Sequence, residues 1–180
     1  MSDPLYRYLM IFVACAALLL GLQLPNFVDQ YQKRVDAHLR EVTVNLQPFQ
    51  AIADKYFAGD MDKLIALHRS SGERAFQEEG SAIEKMVQRK LRFEAEITAL
   101  NVNLALRVWH VLMQADQEIF DETLAQYSYA APLGQDVLTF AAGFVLAILL
   151  LVESLRALIK LALRRLAIRN DNVGNNGKAS

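Results

Sequence analysis

Two long blocks of residues without a charged side chain constrain this chain more than any other feature of its sequence. The blocks are residues 9–24 and residues 137–152. A membrane span needs about 20 predominantly apolar residues, and both blocks reach that length if the flanking Arg7, Asp136 and Glu153 lie at the membrane interfaces. We therefore predict two membrane-spanning helices, one near each end of the chain.

The first block has an alternative interpretation as a leader sequence that is removed after export. Against this, Asp3 accompanies Arg7 ahead of the block, and Pro25 and Phe27 stand where a small-residue cleavage site belongs. A lipoprotein leader needs a cysteine at its end, whereas Cys15 lies in the middle of the apolar residues. We therefore expect the first block to stay attached as a membrane helix.

Basic residues close behind the second block indicate the orientation in the membrane. Lysine and arginine near the end of a span stay in the cytoplasm, so we predict that both termini are cytoplasmic and that the segment between the blocks is outside. An apolar stripe beginning at Leu155 accompanies them, which suits an amphipathic helix on an anionic membrane surface; a plain extension of the second span is the alternative. The basic residues predicted to lie at the membrane surface are Arg156, Lys160, Arg164, Arg165 and Arg169.

The segment between the blocks carries the apolar spacing of helices. Over residues 27–49, apolar side chains recur every three or four positions, which is the period of a helix with one buried face. We expect Pro48 to bend or end this helix. Gly59 is expected to end the helical stretch, and a short helix is predicted at residues 61–69, with Asp60 as its N-cap.

A longer helix is predicted after a second break at Gly80. Ser81 and Glu84 match a capping box, in which two side chains satisfy backbone groups at a helix start, and the helical spacing then lasts to about Met113. Charged residues interrupt its heptad spacing, which favours an antiparallel helical hairpin over a long parallel coiled coil. A further helix is predicted within residues 116–127.

Together these features predict an all-α fold, with two transmembrane helices flanking an extended extracytoplasmic helical hairpin and a basic amphipathic helix near the C-terminus. The predicted division is a cytoplasmic N-terminus (residues 1–8), a first transmembrane helix (9–24), an extracytoplasmic helical domain (25–134), a second transmembrane helix (135–154), a basic amphipathic helix (155–169) and a flexible tail (170–180).

Small residues recur along one face of each apolar block. In lipid, helices associate through close packing, and small side chains let their backbones approach. We predict that these faces pack either between the two spans or between two copies of the chain; the alternative is that alanine is simply common in spans. The residues are Ala14, Ala17 and Gly21 in the first block and Thr139, Gly143 and Ala147 in the second.

The sequence contains little that indicates catalysis or cofactor binding. His38, His68 and His110 lack the spacing of a metal site, and Cys15 is the only cysteine. No nucleotide-binding or nucleophile motif occurs, and the net charge of −1 argues against nucleic-acid binding. We therefore expect no enzyme activity, no cofactor and no nucleic-acid partner, and we expect Trp109 to pack within the hairpin.

Three short stretches of the sequence resemble a known family. They are Gln23-Leu24-Pro25-Asn26-Phe27 followed by Gln30-Tyr31, the Ser71-Gly72 pair with Phe76, and the approach to the second block through Tyr127, Pro132 and Leu133. Up to about residue 151, the chain resembles the bacterial membrane-protein family known as domain of unknown function 2937. This resemblance implies a bacterial inner-membrane protein with two spans, and it implies no activity.

We interpret the chain as a membrane-anchored helical scaffold or accessory subunit of an envelope protein complex, which acts by protein–protein contact. Its expected partners are the lipid bilayer and either a membrane or periplasmic protein or a second copy of the chain. The alternative is a module that binds lipid or a small apolar ligand at the outer face of the inner membrane, in a groove between helices. Whether the apolar stripe of residues 27–49 is covered distinguishes the two.

Overall fold

The computed structural model describes residues 4–129 and 134–176, and within these residues the chain forms six helices and no strand. The predicted all-α fold is therefore confirmed. The helices are α1 (Pro4–Phe57), α2 (Met61–Arg69), α3 (Arg74–Leu100), α4 (Leu104–Met113), α5 (Gln117–Ala125) and α6 (Gln135–Asn176).

The chain divides into two compact units. The terminal unit comprises Met1–Gln23 and Ala131–Ser180, and the central unit comprises Leu24–Ala130. Helix α1 contributes to both units, because it runs without interruption through their boundary. Helices α2 to α5 belong to the central unit and α6 to the terminal unit.

Helix α1 contains two prolines in its interior, Pro25 and Pro48. Pro48 does not end the helix, contrary to one of the two expectations for it. A proline removes a backbone hydrogen bond and crowds the preceding turn, which costs about 3 kcal/mol in a helix interior. Leu46 and Ala53 are buried on either side of Pro48, so tertiary packing holds the helix together across the defect.

The break after α1 agrees with the prediction at Gly59. Ala58 and Gly59 have positive φ angles of 53° and 85°, and glycine adopts this left-handed conformation without steric cost. The predicted cap of α2 is also confirmed, since Asp60 Oδ1 accepts a hydrogen bond from the backbone N–H of Lys63 at 3.1 Å.

The predicted break at Gly80 and the capping box at Ser81 are wrong, because α3 begins at Arg74 and passes through both. A Cβ atom on Gly80 would lie 2.9 Å from the Cβ atom of His68, so glycine serves the close approach of α2 and α3 and does not stop a helix. Ser81 Oγ donates to the carbonyl oxygen of Gln77 at 3.1 Å, as a serine inside a helix does.

The predicted single helix up to Met113 is also wrong. Helix α3 ends at Leu100, and α4 begins after Asn103, whose side chain accepts a hydrogen bond from the N–H of Leu106 at 3.1 Å. Asparagine favours such local bonds over a helix interior. The predicted helix within residues 116–127 is confirmed as α5.

The apolar stripe of α1 forms the spine of the central core. Tyr31, Val35, Val42 and Leu46 are buried along it. The other helices cover the stripe with fully buried side chains, which are Leu64, Ile83, Phe93, Leu100, Val111 and Ile119. Burying a side chain of this kind contributes about 1.5–3 kcal/mol, so the stripe is the main source of stability in the central unit.

Helix α6 is longer than the predicted second span. It carries the second apolar block and the basic segment on one helix and extends to Asn176, whereas the sequence predicted a flexible tail from Asn170. Residues 177–180 of that predicted tail lie outside the described residues, as do Pro132 and Leu133 ahead of the helix.

Among the described residues, α1 and α6 are the two helices that are long and apolar enough to cross a membrane. Only 17% of the most apolar window of α1 and 6% of that of α6 are buried within the chain. A core helix of a soluble domain buries most of its apolar side chains, so lipid is the environment that suits these two windows.

Candidate functional site

In the terminal unit, small residues bring α1 and α6 into close contact. A Cβ atom on Gly21 would lie 3.0 Å from the Cα atom of Ala141, and Ala17 and Ala141 are buried. Ala14 is half-buried on the same side of α1. The predicted small-residue face of the first block therefore packs against α6, because Gly21 lets the two backbones approach.

The small-residue face predicted on the second block does not make this contact. Thr139, Gly143 and Ala147 are exposed, and no atom lies within 4 Å of a Cβ atom placed on Gly143. Ala141, two residues before Gly143, faces Gly21 instead. The error has a physical cause: every face of this block is apolar, so the spacing does not reveal which face turns inward. Contact of the second face with another copy of the chain stays a prediction.

A polar contact accompanies the apolar one at the other end of the spans. Tyr6 donates a hydrogen bond to Glu153, and the guanidinium of Arg156 lies 3.6 Å from the centroid of the Tyr6 ring. Arg156 thus takes part in helix contact in addition to its predicted place at the membrane surface. Lys160 is exposed, and the side chains of Arg164, Arg165 and Arg169 lie outside the described residues.

In the central unit, two of the three stretches that carried the family resemblance meet. Asn26 donates to the hydroxyl of Tyr127 at 3.0 Å and to the carbonyl oxygen of Ser128 at 3.1 Å. Gln30 donates to the same carbonyl oxygen at 2.8 Å and accepts from the N–H of Ser128 at 3.2 Å. The ring of Phe27 lies 5.6 Å from that of Tyr127. These contacts fasten the end of the central unit to its first two turns.

A buried polar cluster joins four helices one turn further along α1. The hydroxyl of Tyr31 donates to Glu96 Oε1 at 2.6 Å and accepts from the N–H of Asp116 at 2.8 Å. His110 Nε2 lies 2.9 Å from the same oxygen of Glu96, and Arg92 pairs with Asp116 at 3.0 Å. We call these residues the Tyr31 cluster. Because a buried polar group is costly when unpaired, the cluster fixes the positions of α1, α3, α4 and α5.

A second charged cluster ties α1 to α5. Glu122 accepts from Arg34 and lies within hydrogen-bond distance of His38, both at 2.8 Å. The bond to His38, together with the charge of Arg34, holds the pKa of Glu122 below its ordinary value. Arg92 lowers the pKa of Glu118 in the same way on the neighbouring turn of α5.

Each of the three histidines faces a glutamate on another helix. His38 faces Glu122, His110 faces Glu96, and His68 lies 3.7 Å from Glu79. Among the described residues, no three histidine, cysteine or carboxylate side chains are grouped to hold a metal ion. The histidines therefore serve contacts between helices, and the sequence missed their partners. Glu96 did carry a signal, because its spacing from Phe93 and Leu100 places a carboxylate on the apolar face of α3.

An open groove of about 360 Å³ lies on the central unit between α1 and α3, with α2 at one end. Val44 and Leu91 flank it and are 58% and 60% exposed. Lys90 supplies a positive charge at its edge. The remaining lining residues are Thr43, Leu46, Gln47, Gln50, Met61 and Val87. An apolar floor with a polar rim suits the side chains of a partner helix.

Trp109 does not pack within the hairpin as predicted. It is 59% exposed on α4, and the helix instead buries Val108 and Val111. The helical period alone does not separate a buried face from an exposed one when both are apolar, and α4 has apolar residues on both.

The fold defines an all-α protein with two helices suited to a membrane and a helical central unit whose apolar core is accompanied by polar clusters between helices. The chain belongs to the family described as Protein of unknown function (DUF2937), whose model matches residues 5–165. The resemblance seen in the sequence is thereby confirmed. No curated protein and no solved structure matches the chain.

Proposed function

We propose that this protein is a membrane-anchored helical scaffold or accessory subunit of an envelope protein complex, and that it holds a partner protein through the groove between α1 and α3. The observation that carries the proposal is the pair of exposed apolar residues, Val44 and Leu91, facing an open groove of about 360 Å³. An amphipathic helix from the partner supplies apolar side chains for the floor. An acidic residue at the edge of that helix complements Lys90.

The proposal places the protein in the bacterial inner membrane, with both termini in the cytoplasm and the central unit in the periplasm. Support comes from the basic residues that follow the second apolar block, since such residues stay on the cytoplasmic side. Reporters active only outside the cytoplasm are to be fused at Gly72 and at Ser180. We expect activity at Gly72 and none at Ser180; the reverse result overturns this orientation.

No reaction is part of the proposed function. The titratable side chains of Tyr31, Glu96 and Glu122 are used between helices. None of them lines the groove. In a scaffold that binds through an apolar groove, hydrogen-bonded side chains between the helices keep the groove rigid. A rigid groove lowers the entropy cost of binding a partner.

Binding of a lipid or a small apolar ligand between the helices is the alternative. The apolar stripe of α1 is covered, because Tyr31, Val35, Val42 and Leu46 are buried by the other helices. Of these four residues only Leu46 also lines the outer groove, so a ligand has the groove available and little of the stripe. This favours a protein partner, since the groove is open along one side.

Photocrosslinking in living cells tests the proposed docking surface. Benzoylphenylalanine is placed at Gln47, on the rim of the groove, and at the exposed Asp36 of the same helix as the matched control. We expect a discrete protein adduct from Gln47, its loss when Leu91→Asp is added, and no such adduct from Asp36. Adducts with lipid alone support the alternative function, and equal adducts from both positions overturn the docking surface.

A further inference from the structure

Helix α4 has its polar and apolar faces reversed relative to a helix that faces water. Its two side chains capable of charge point to partners in the core: Arg107 donates to Gln32 at 3.1 Å, and His110 meets Glu96 at 2.9 Å. Its exposed side chains are apolar, namely Leu106, Trp109, Leu112 and Met113. A water-facing helix turns charged residues outward, so this outer face is adapted to an apolar environment.

The outer face of α4 lies near the start of the central unit along α1. Gln32, which binds Arg107, follows Leu24 by eight residues, or about 12 Å of helix. Leu24 is the last residue of the first apolar block. The headgroup region on each side of the hydrocarbon core is about 5–8 Å thick, which is of the same order as this distance along α1.

An exposed tyrosine lies even closer to Leu24. Tyr129 is 85% exposed, and its ring lies 5.0 Å from that of Tyr127. The Tyr127 hydroxyl accepts a hydrogen bond from Asn26, only two residues beyond Leu24. Tyrosine and tryptophan are enriched where membrane meets water, because one part of each ring is apolar and the other is polar.

We propose that the outer face of α4 and Tyr129 rest in the headgroup region of the membrane that the first apolar block crosses. The face is a lipid contact of the central unit, separate from the groove between α1 and α3. This second proposal rests on the membrane insertion that is part of the proposed function, and it does not depend on the docking surface between α1 and α3. Lipid is the occupant because the face is held to α1 only about 12 Å of helix beyond Leu24 and carries aromatic residues but no charge.

The chain offers a direct probe of this contact, since Trp109 is its only tryptophan. The full chain is reconstituted in vesicles of phosphatidylcholine and phosphatidylglycerol, with or without bromine on the lipid acyl chains. A helix at the interface sinks about 5–10 Å into the boundary of headgroups and acyl chains. We expect about twofold quenching of Trp109 by bromine near the glycerol, and weaker quenching by bromine near the chain ends.

The matched control moves the tryptophan to the groove. In the variant Trp109→Phe with Val44→Trp, the indole lies twenty residues beyond Leu24, or about 30 Å along α1, on an equally exposed position. We expect no quenching by brominated lipid and full access to aqueous iodide. Flotation with the vesicles verifies membrane insertion in both proteins.

Three results overturn the proposal. The first is the absence of bromine quenching at Trp109 in protein that floats with the vesicles. The second is quenching that is equal for Trp109 and the Val44→Trp control. The third is blue-shifted emission without quenching, which assigns the face to a second protein chain. If the crosslinking experiment gives no adduct at Gln47, the quenching of Trp109 is still expected. Failure of the docking surface and failure of the lipid contact are therefore distinguishable.

Discussion

The terminal unit and the central unit are built from helices of the same kind but are held together in different ways. In the terminal unit the contact comes from Ala17, Gly21 and Ala141, and long apolar side chains such as Leu19 and Leu150 are exposed. In the central unit the core consists of large side chains such as Tyr31 and Phe93. In water, burial of large apolar groups drives packing; in lipid it gives no advantage, and close approach of backbones takes its place.

Polar groups show the same difference between the units. The central unit buries Tyr31 and Glu96 with hydrogen-bond partners on other helices. Such clusters specify the positions of helices that apolar contacts alone leave free to slide. In the terminal unit, Tyr6 and Glu153 make a polar contact just outside the two apolar blocks. The comparison leads to four predictions, in decreasing order of expected effect.

Truncation of the central core has the largest expected effect. Phe93→Ala removes a fully buried ring and is expected to lower the free energy of unfolding by about 3–5 kcal/mol. Leu91→Ala, two residues away and 60% exposed, is the matched control, with an expected change within about 0.5 kcal/mol. Unfolding by urea in mild detergent, followed by circular dichroism, measures both. Equal destabilisation by the two variants contradicts the assignment of the core.

Loss of one hydroxyl in the Tyr31 cluster comes next. Tyr31→Phe leaves the N–H of Asp116 without a buried partner and Glu96 with His110 alone, which is expected to cost about 1–3 kcal/mol. The control is Tyr56→Phe, because Tyr56 is mostly exposed and removal of its hydroxyl leaves no buried group without a hydrogen-bond partner. A Tyr31→Phe variant as stable as the Tyr56→Phe variant refutes a stabilising role for the cluster.

Disulfide formation tests the small-residue contact of the terminal unit. In a Cys15→Ala background, cysteines at Gly21 and Ala141 are expected to form a bond within one chain, because a Cβ atom on Gly21 lies 3.3 Å from that of Ala141. Disulfides have a Cβ–Cβ separation of about 3.5–4.5 Å, so the two helices must move apart by a few tenths of an ångström to form the bond. Cysteines at Gly21 and Gly143 are expected to remain reduced. A non-reducing gel compares the two pairs of cysteines. A disulfide in the second pair alone contradicts the prediction and shows that the face with Gly143 meets α1.

The smallest effect is expected from pH, through Glu122. The pKa of Glu122 is lowered in the folded state, chiefly by His38. Its contribution to the free energy of unfolding is therefore complete above the ordinary pKa of about 4.5 and is lost as the pH falls through the lower folded-state value. About a third of the side chain is exposed, and the contribution is at most about 1 kcal/mol.

The difference in unfolding midpoint between the unmodified chain and Glu122→Gln measures this contribution. We expect the difference to shrink on acidification from pH 7 to below 4. In a His38→Gln background the difference is expected to be smaller at every pH, because the main cause of the shift is gone. A difference that is constant over this pH range contradicts the assigned linkage.

Several features of the fold could be read from the residues in order. The uncharged blocks predicted the two membrane-suited helices, since their composition is incompatible with a surface in water. The three-to-four spacing over residues 27–49 predicted the buried stripe, and Asp60 and Gly59 predicted a cap and a break. Each of these features depends on a residue and its neighbours within one or two turns, and the sequence lists such neighbours directly.

What only the tertiary structure decided depends on residues that are distant in the chain. Gly80 looked like a break, but it permits the approach of His68; the inward face of the second block is set by Gly21 meeting Ala141. Nothing in the local sequence places Glu122 beside His38 or Glu96 beside Tyr31. The physical reason is the same throughout: a residue's own type sets what it can do, and its packing partner sets which of those possibilities is used.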